Sequence, residues 1–247
     1  MKITVVIPAL NEQQDLPRTL DSLKFADEVL VIDSGSTDQT VSIAKKAGVR
    51  VLHHSFKNFA DTRNFADLQA KNDFILSIEA DVVVPDKLAR EIASLPDTPA
   101  VYCISRVNII FGKPILHTDW GPKDDNHIRL YHRSLGSWGG QVHELFVTKS
   151  RPHQLRHHLL HYNYNHVSEF IDKINSYSDL EVKKRLGRHQ SFSYLNLFLE
   201  PTKDFVKRFF YKLGFLDGLH GFFLSLLQAI YYLTVNIKLK NATTKSA

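Results

Sequence analysis

Residues 3–12 read ITVVIPALNE, and this stretch decides the expected fold. Its first five residues, 3–7, are apolar or β-branched, which is typical of a strand buried on both faces of a sheet. The run VLVI at 29–32 has the same character and ends at Asp33. Both runs predict buried strands that are followed by polar side chains, within 8–12 after the first strand and at Asp33 after the second.

The same pattern continues through the first hundred residues. Helix patterns, with apolar residues three and four positions apart, separate the predicted strands. The strands are predicted at 3–7, 29–32, 49–52, 74–78 and 100–105. The helices are predicted near 16–23, at 60–70 and at 86–94, and a further helix carries Val41 and Ala44 and ends at Gly48. Strands that alternate with helices imply βαβ units, so we expect an α/β fold with a doubly wound, mostly parallel sheet. Ligands of such sheets bind beyond the carboxyl ends of the strands.

Length and composition set outer bounds on the protein. A chain of 247 residues fits one such domain with an appendage. Hydrophobic residues make up 43% and charged residues 23%, which excludes a disordered or fibrous chain. The single cysteine, Cys103, excludes a disulfide framework and a cysteine zinc cluster. The apolar run at the start is too short for a signal peptide, so we expect a cytoplasmic protein.

The pattern changes in the second half of the chain. Residues 106–165 predict loops with short strands, and residues 167–186 predict a helix. Residues 151–247 contain 14 Lys and Arg against 7 Asp and Glu, an asymmetry that points to an anionic partner. Zinc-finger spacing and RNA-binding signatures are missing from the sequence, which disfavours nucleic acid. We place a catalytic domain at 1–165, a helical extension at 166–240 and a polar tail at 241–247.

The apolar stretch LHGFFLSLLQAIYYLTV at 219–235 suggests contact with a membrane. A spanning helix needs about 20 apolar residues, whereas this stretch has 17 residues that include His220, Ser225 and Gln228. Its aromatic residues and the lysines that flank it favour a helix lying in the headgroup region. The alternatives are packing on the protein's own core or in a dimer, and a true span.

Three polar groups are candidates for chemistry. Asp33 could accept a hydrogen bond from a base or ribose, or could cap the turn that follows it. Glu79 and Asp81 follow the fourth strand and could bind Mg²⁺ or Mn²⁺, which prefer oxygen ligands, or could form a solvated acidic loop. Glu144 follows a tryptophan and two glycines, and could be a general base in a cleft or a solvated glutamate.

Other common sites are disfavoured by the sequence. The phosphate-binding patterns G-x-G-x-x-G and Walker A are missing, so the usual NAD and P-loop interpretations lack their glycines. Histidines at 157, 158, 161 and 166 have neither a cysteine nor a spaced carboxylate partner nearby in the sequence. We therefore expect these histidines to belong to a basic substrate groove or an ordinary surface instead of a transition-metal site.

Eight motifs are spread over nearly the whole chain: VVIPALNE (5–12), VIDSGSTDQT (31–40), TRNFA (62–66), LSIEAD (76–81), DNHIRLYHR (125–133), WGGQVHE (138–144), LHYNY (160–164) and KLGFLDGLHGF (212–222). Taken together, these motifs resemble family-2 glycosyltransferases, and more closely the subgroup of lipopolysaccharide-core β-glucosyltransferases. The first two motifs are typical of the nucleotide-sugar (GT-A-like) fold, and the last four suggest the subgroup.

The resemblance implies an inverting hexosyltransferase that moves glucose from UDP-glucose onto a lipopolysaccharide or lipooligosaccharide inner-core acceptor. It implies Mg²⁺ or Mn²⁺ as cofactor, and a peripheral location on the inner face of the bacterial inner membrane. Asp81 would be the metal ligand and Glu144 the catalytic base. Glu79 stands where the family's motif usually has Asp, and keeps the charge with one more methylene. The residues implied to bind the nucleotide sugar are Pro8, Ala9, Asn11, Glu12, Asp33, Ser34, Arg63, Glu79 and Arg129.

Three alternatives remain open from the sequence. The same fold could act on polyprenyl phosphate, or on another cell-surface glycan or protein acceptor. A catalytically weak, membrane-associated scaffold that binds sugar nucleotides is supported only by Glu79 at the usual Asp position. A nucleotidyltransferase would usually carry a glycine-rich, basic loop after the first strand, whereas residues 8–14 are acidic and contain no glycine.

Overall fold

A computed structural model describes residues 1–140 and 144–244 of the chain. The chain forms two compact units. The first unit contains Met1–Val107 and Asp125–Tyr162, and the second contains Asn108–Asp124 and the chain from Asn163 onward. The functional division at residue 165 stays a prediction, and the compact units differ from it by grouping 108–124 with the C-terminal helices.

The described residues contain twelve strands and seven α-helices. The strands are β1 (Ile3–Ala9), β2 (Glu28–Asp33), β3 (Arg50–His53), β4 (Phe74–Ser77), β5 (Val82–Val83), β6 (Val101–Ile110), β7 (Lys113–Ile115), β8 (Asn126–His132), β9 (Gly136–Gly139), β10 (Leu145–Thr148), β11 (His153–Gln154) and β12 (Leu159–Tyr164). The helices are α1 (Leu16–Asp21), α2 (Thr40–Lys46), α3 (Phe59–Gln69), α4 (Asp86–Ala93), α5 (Val167–Gly187), α6 (Tyr194–Val206) and α7 (Leu219–Thr244).

The main sheet has the order β3-β2-β1-β4-β8-β6-β12-β5. Its first four strands are parallel, because β1 pairs in parallel with both β2 and β4, and β2 with β3. Strand β8 runs antiparallel between β4 and β6, and β12 runs antiparallel to β5. The predicted α/β sheet with a parallel nucleus is therefore present, and antiparallel strands extend it on one side.

Alternation of side chains explains why the apolar runs form strands covered on both faces. Ile3, Val5 and Ile7 of β1 belong to one apolar cluster, whereas Val6 belongs to another. Strand β4 divides in the same way, because Leu76 belongs to the first cluster and Ile75 belongs to the second. Successive side chains of a strand point to opposite faces, so every residue of such a run is buried.

The segment 106–165 is more regular than its sequence pattern predicts. Strand β8 is seven residues long and β12 is six, and both belong to the main sheet. Strand β8 buries Arg129, Leu130 and Tyr131 in succession, and β12 buries His161. A buried charged or polar residue inside a strand breaks both the apolar run and the alternation, which is why the pattern reads as loop.

Three buried side chains, Trp138, Tyr131 and Asp67, are linked by hydrogen bonds beside the apolar cluster that contains Val6. Tyr131 donates a hydrogen bond of 2.8 Å from its hydroxyl to Asp67, and the indole N–H of Trp138 donates to the same hydroxyl at 2.8 Å. Phe146 stacks on the Tyr131 ring with centroids 4.1 Å apart. Burial raises the pKa of Asp67 to about 7, although Tyr131 and the nearby Arg63 act to lower it. A carboxyl group with such a pKa keeps its proton in the folded protein well above pH 4.

The second unit is built around the C-terminal helices. Helix α7 packs against α5 and α6, and it is longer than the apolar stretch that predicted it, since it continues through Thr244 into the expected polar tail. By length and composition α7 could cross a membrane, and 33% of its most apolar window is buried.

The first turns of α7 pack tightly: a Cβ added to Gly221 would lie 1.8 Å from the carbonyl oxygen of Gly214. The carboxylate of Asp217 accepts hydrogen bonds from the backbone of residues 116 and 117, so the KLGFLDGLHGF motif holds this turn together.

The raised pKa of Asp67 predicts a pH-dependent stability. Between pH 4 and pH 7 the folded protein keeps a proton that the unfolded chain releases, so the free energy of unfolding falls as the pH rises, by up to about 1.4 kcal/mol per pH unit. Asp67→Asn should remove this slope while it keeps an acceptor for Tyr131. Urea unfolding at several pH values measures it, with the exposed Asp97→Asn as the control that should keep the wild-type slope. Equal slopes in wild type and Asp67→Asn would contradict a protonated Asp67.

Candidate active site

The carboxyl ends of the parallel strands open into a cavity of about 580 Å³. This is the edge of the sheet at which the sequence predicted ligand binding. Apolar side chains and four carboxylates share the lining, together with one buried arginine. The lining residues are Pro8, Ala9, Leu10, Glu12, Ser34, Phe56, Phe59, Thr62, Arg63, Glu79, Ala80, Asp81 and Glu144.

The turns after β1 and β2 are tied to each other. Asn11 has a positive φ of 58°, and its backbone N–H donates to the hydroxyl of Ser36 at 2.9 Å. The carboxylate of Asp33 accepts hydrogen bonds from the backbone N–H groups of Gly35 and Ser36, each at 3.1 Å. Burial acts to raise the pKa of Asp33, but hydrogen bonds from Ser36, Gly35 and His53 outweigh it and hold the pKa below its usual value. Asp33 is therefore ionised at the end of β2.

Glu79 lies among three arginines that come from three different elements. Arg106 of β6 donates a short hydrogen bond to Glu79, while Arg129 of β8 and Arg63 of α3 lie 3.5 and 3.6 Å from its carboxylate. Burial acts to raise the pKa of Glu79, but the arginines and His161 hold it far below its usual range. The carboxylate therefore stays ionised and neutralises part of this positive cluster.

Asp81 and His161 meet because of the register of two short strands. Strand β12 pairs with β5 so that His161 lies opposite Val82, and the backbone N–H of Tyr162 donates to the carbonyl of Asp81 at 3.0 Å. The Nε2 of His161 lies 3.1 Å from Oδ2 of Asp81 and 3.7 Å from Glu79. One ligand atom from each of these three side chains lies within 4.8 Å of the others, so a divalent cation fits this set by donor chemistry.

Glu144 also lines the cavity, next to Arg63. The Nε of Arg63 is 3.4 Å from Oε1 of Glu144, and the same guanidinium donates a short hydrogen bond to the hydroxyl of Ser77. Residues 141–143 of the WGGQVHE motif lie outside the described part of the chain. Arg63 thus contacts both Glu144 and Glu79, so two carboxylates that were predicted as site residues lie beside one guanidinium.

Several polar atoms of this site are buried without a hydrogen bond. Among the described residues, six buried side-chain polar atoms have no hydrogen-bond partner, and four of them are here: Nε of Arg63, Oδ1 of Asp81, Oδ1 of Asp125 and Nε of Arg129. Buried polar groups in native proteins are usually satisfied, by protein, water or ligand. Two of the four atoms belong to the lining residues Arg63 and Asp81, which is the arrangement expected where a cavity binds a polar ligand.

The structure brings most of the predicted site residues to the cavity. The lining includes Pro8, Ala9, Glu12, Ser34, Arg63, Glu79, Asp81 and Glu144. Asn11 and Asp33 are hydrogen-bonded into the adjoining turns, and Arg129 is buried against Glu79.

Three residues of the site were missed by the sequence interpretation. His161 joins the acidic residues although the histidines were not expected to hold a metal. Arg106 donates to Asp125 at 2.8 Å, and Asp125 also lies 3.6 Å from Arg129. One available signal was the pattern of β12, in which Leu159 and His161 alternate with less buried neighbours, as buried strand residues do.

Sequence comparison agrees with this geometry. A sequence model of the family described as "Glycosyl transferase family 2" matches residues 4–150. The chain belongs to glycosyl transferase family 2. It is therefore a glycosyltransferase enzyme with a GT-A-like α/β fold, as the motifs predicted.

Similar proteins include two that are named as glycosyltransferases. An uncharacterized glycosyltransferase of Rickettsia typhi is 28% identical over 99% of this chain and 89% of its own length. The lipopolysaccharide core biosynthesis glycosyltransferase LpsC of Rhizobium meliloti is 26% identical over 94% of this chain and 89% of its own. A solved structure of glucosyl-3-phosphoglycerate synthase from Mycobacterium tuberculosis, in complex with Mn²⁺, UDP and glucosyl-3-phosphoglycerate, is 25% identical, with a TM-score of 0.37 over 43% of this chain and 44% of that chain.

Proposed function

We propose that this glycosyltransferase moves glucose from UDP-glucose, with inversion, onto a lipid-linked inner-core saccharide of lipopolysaccharide or lipooligosaccharide. The observation that carries the proposal is one cavity lined by Asp81, which pairs with His161, and by Glu144 beside the buried Arg63. Residues of the turns after β1 and β2 line the same cavity. The similarity to LpsC supports this class of acceptor. Polyprenyl phosphate and other cell-surface acceptors are the competing outcomes of an acceptor screen.

The turns after β1 and β2 suit the nucleoside part of the donor. A carboxylate has about four acceptor positions. In Asp33 the backbone N–H groups of Gly35 and Ser36 occupy two of them, and His53 lies 3.6 Å from one oxygen. Asp33 can therefore also accept a hydrogen bond from the imide N–H of uracil. Pro8, Ala9 and Ser34 line the cavity next to it with small side chains that let a flat base approach the backbone.

Asp81 and His161 fit a divalent cation, and we infer that they hold Mg²⁺ or Mn²⁺. The buried Oδ1 of Asp81 has no hydrogen-bond partner among the described residues, which is the observation expected of a ligand atom. Glu79 is a weaker candidate because Arg106, Arg129 and Arg63 already engage its carboxylate. When bound, the cation would stabilise the negative charge that develops on the leaving diphosphate.

Glu144 fits the role of general base. In an inverting transfer, the acceptor hydroxyl attacks the anomeric carbon as the bond to the diphosphate breaks, and a base takes the hydroxyl proton. Glu144 lines the cavity beside Arg63, whose Nε lies 3.4 Å from Oε1 of Glu144. The same arginine, with Arg106 and Arg129 nearby, supplies positive charge for the departing UDP.

The cation assignment predicts the behaviour of Asp81→Asn and His161→Gln. Each replaces a ligand with a neutral amide that binds a divalent cation more weakly, so we expect Mn²⁺ affinity to fall by at least the roughly 10- to 100-fold that changes behind the ligands cost. Isothermal titration of the protein with Mn²⁺ in the absence of donor measures this directly. The exposed Asp97→Asn makes the same charge change elsewhere and should bind Mn²⁺ like wild type. Wild-type affinity in both ligand variants would exclude this pair as the metal site.

The base assignment predicts a separation between binding and turnover in Glu144→Gln. The variant keeps the size of the side chain but cannot accept the proton, so kcat should fall about 10²- to 10⁴-fold while UDP-glucose affinity changes little. Stopped assays of glucose transfer and equilibrium binding of UDP-glucose give the two quantities. Glu144→Asp, which retains a carboxylate, should recover part of the rate. A parallel loss of donor binding would instead make Glu144 a structural residue.

We propose that the second unit binds the surface of an anionic membrane. Helix α6 exposes five apolar residues, Tyr194, Leu195, Phe198, Leu199 and Val206, and buries none of its residues. The turns between α6 and α7 expose further apolar residues, including Phe210, Tyr211, Leu213, Phe215 and Leu216. Aromatic and aliphatic residues in this density, in a region rich in lysine and arginine, are typical of helices that lie in the membrane interface.

Substitutions on α6 test the membrane proposal. Leu195→Ser combined with Phe198→Ser removes two exposed apolar side chains, so binding to vesicles of phosphatidylglycerol and phosphatidylethanolamine should fall by about tenfold or more. Sedimentation with the vesicles measures this, and Leu68→Ser provides the matched control, because Leu68 of α3 is 79% exposed in the first unit. Unchanged binding, resistance to alkaline extraction, or a dimer that only the α6 variant dissociates would each contradict interfacial binding through α6.

A further inference from the structure

We propose that Asn64 and Trp138 are positioning residues of the transferase. They hold residues 144–148, the Glu144 segment, against the guanidinium of Arg63. The inference rests on the proposed role of Glu144 as base. It concerns residues that do not line the cavity and that the metal and donor assignments leave unused.

Asn64 fixes the strand that precedes Glu144. Its side chain donates to the backbone carbonyl of Trp138 at 2.8 Å and accepts from the backbone N–H of the same residue at 2.9 Å. A carboxamide offers a donor and an acceptor in one plane, so Asn64 pairs with β9 as a neighbouring strand would. Strand β9 in turn pairs with β10, with Trp138 opposite Phe146 and Gly139 opposite Leu145. Glu144 directly precedes β10, so the two hydrogen bonds of Asn64 and the pairing of β9 with β10 fix the distance between Glu144 and α3.

Trp138 fixes the arginine from the other side. The guanidinium of Arg63 lies over the indole ring, 4.7 Å from its centroid, and the Arg63 side chain is 3% exposed. A buried cation over an indole face is held by the quadrupole of the ring. The indole N–H donates to the hydroxyl of Tyr131, which donates to Asp67, so the plane of the ring is itself held. The face of Trp138 is therefore a rigid support for Arg63.

These two contacts converge on one carboxylate. Arg63 and Asn64 are adjacent in α3, and they reach Glu144 by two routes: through the ion pair of 3.4 Å and through the backbone of the β9–β10 hairpin. A base must lie within hydrogen-bond reach of the proton that it accepts. A displacement of about 1 Å can cost about 10²-fold in rate. The geometry therefore assigns to Asn64 and Trp138 an effect on the chemical step with little effect on donor binding.

Kinetics of three variants test this assignment. Trp138→Leu and Asn64→Ala should lower kcat by about 10²-fold, with the KM for UDP-glucose within about threefold of wild type. Trp138→Phe keeps an aromatic face under Arg63 and should recover most of the lost kcat. Phe74→Leu serves as the matched control, because it shortens a buried aromatic of the other apolar cluster, and should leave kcat per folded molecule unchanged. A rise in KM without loss of kcat, or equal losses in Trp138→Phe and Trp138→Leu, would overturn the proposal.

Hydrogen exchange gives a second readout that does not depend on turnover. Amide exchange of residues 144–148 should become about tenfold faster in Asn64→Ala and Trp138→Leu, and should stay at the wild-type rate in Phe74→Leu. Unchanged exchange in the first two variants would overturn the positioning role even if the enzyme transfers glucose. A wild-type protein that transfers no sugar from UDP-glucose would overturn the proposed function, while the exchange comparison would still decide whether these residues hold the Glu144 segment.

Discussion

Glu79 is the charge on which the site depends, because three largely buried arginines converge on its carboxylate. Arg63, Arg106 and Arg129 come from α3, β6 and β8, and would repel one another without an anion between them. Without that carboxylate, the three guanidinium groups would lose the counter-charge that they share, which is unfavourable for buried cations. Glutamate is longer than the aspartate usual at this position, and here its oxygens contact all three guanidinium groups. The departure from the family pattern thus has a physical account in the arginines around it.

Helix α3 connects this charge cluster to the hydrophobic core. Three of its side chains perform different tasks on one side of the helix: Arg63 contacts two carboxylates, Asn64 holds β9, and Asp67 accepts from a buried tyrosine. The TRNFA motif is therefore explained by geometry. Its arginine serves the cavity directly, while its asparagine and the aspartate that follows fix the parts of the sheet and hairpin that surround the cavity.

The second unit is organised by a different constraint, since much of its apolar surface is not covered by the protein itself. Helix α6 has no buried residue, and several of its basic neighbours are engaged in ion pairs, as Lys207 and Lys212 are with Asp119. Those pairs join the segment after α6 to Asp119, while apolar residues of α6 stay exposed. A water-soluble donor and a lipid-linked acceptor would require this combination of a polar cavity and an apolar docking surface.

The sequence by itself determined the parallel nucleus of the sheet, the polar strand ends and the family. Strands covered on both faces are continuous apolar runs, and the motifs after β1, β2 and β4 are local, so Asp33, Glu79 and Asp81 could be found from their positions. The partners of these residues could not. His161 is 80 residues from Asp81, and Arg106 and Asp125 come from the part of the chain where buried charged residues disrupt the strand pattern. Only the pairing of β12 with β5 and of β6 with β8 decided which basic side chain lies beside which carboxylate. Strand register is a property of the folded sheet and not of any one segment.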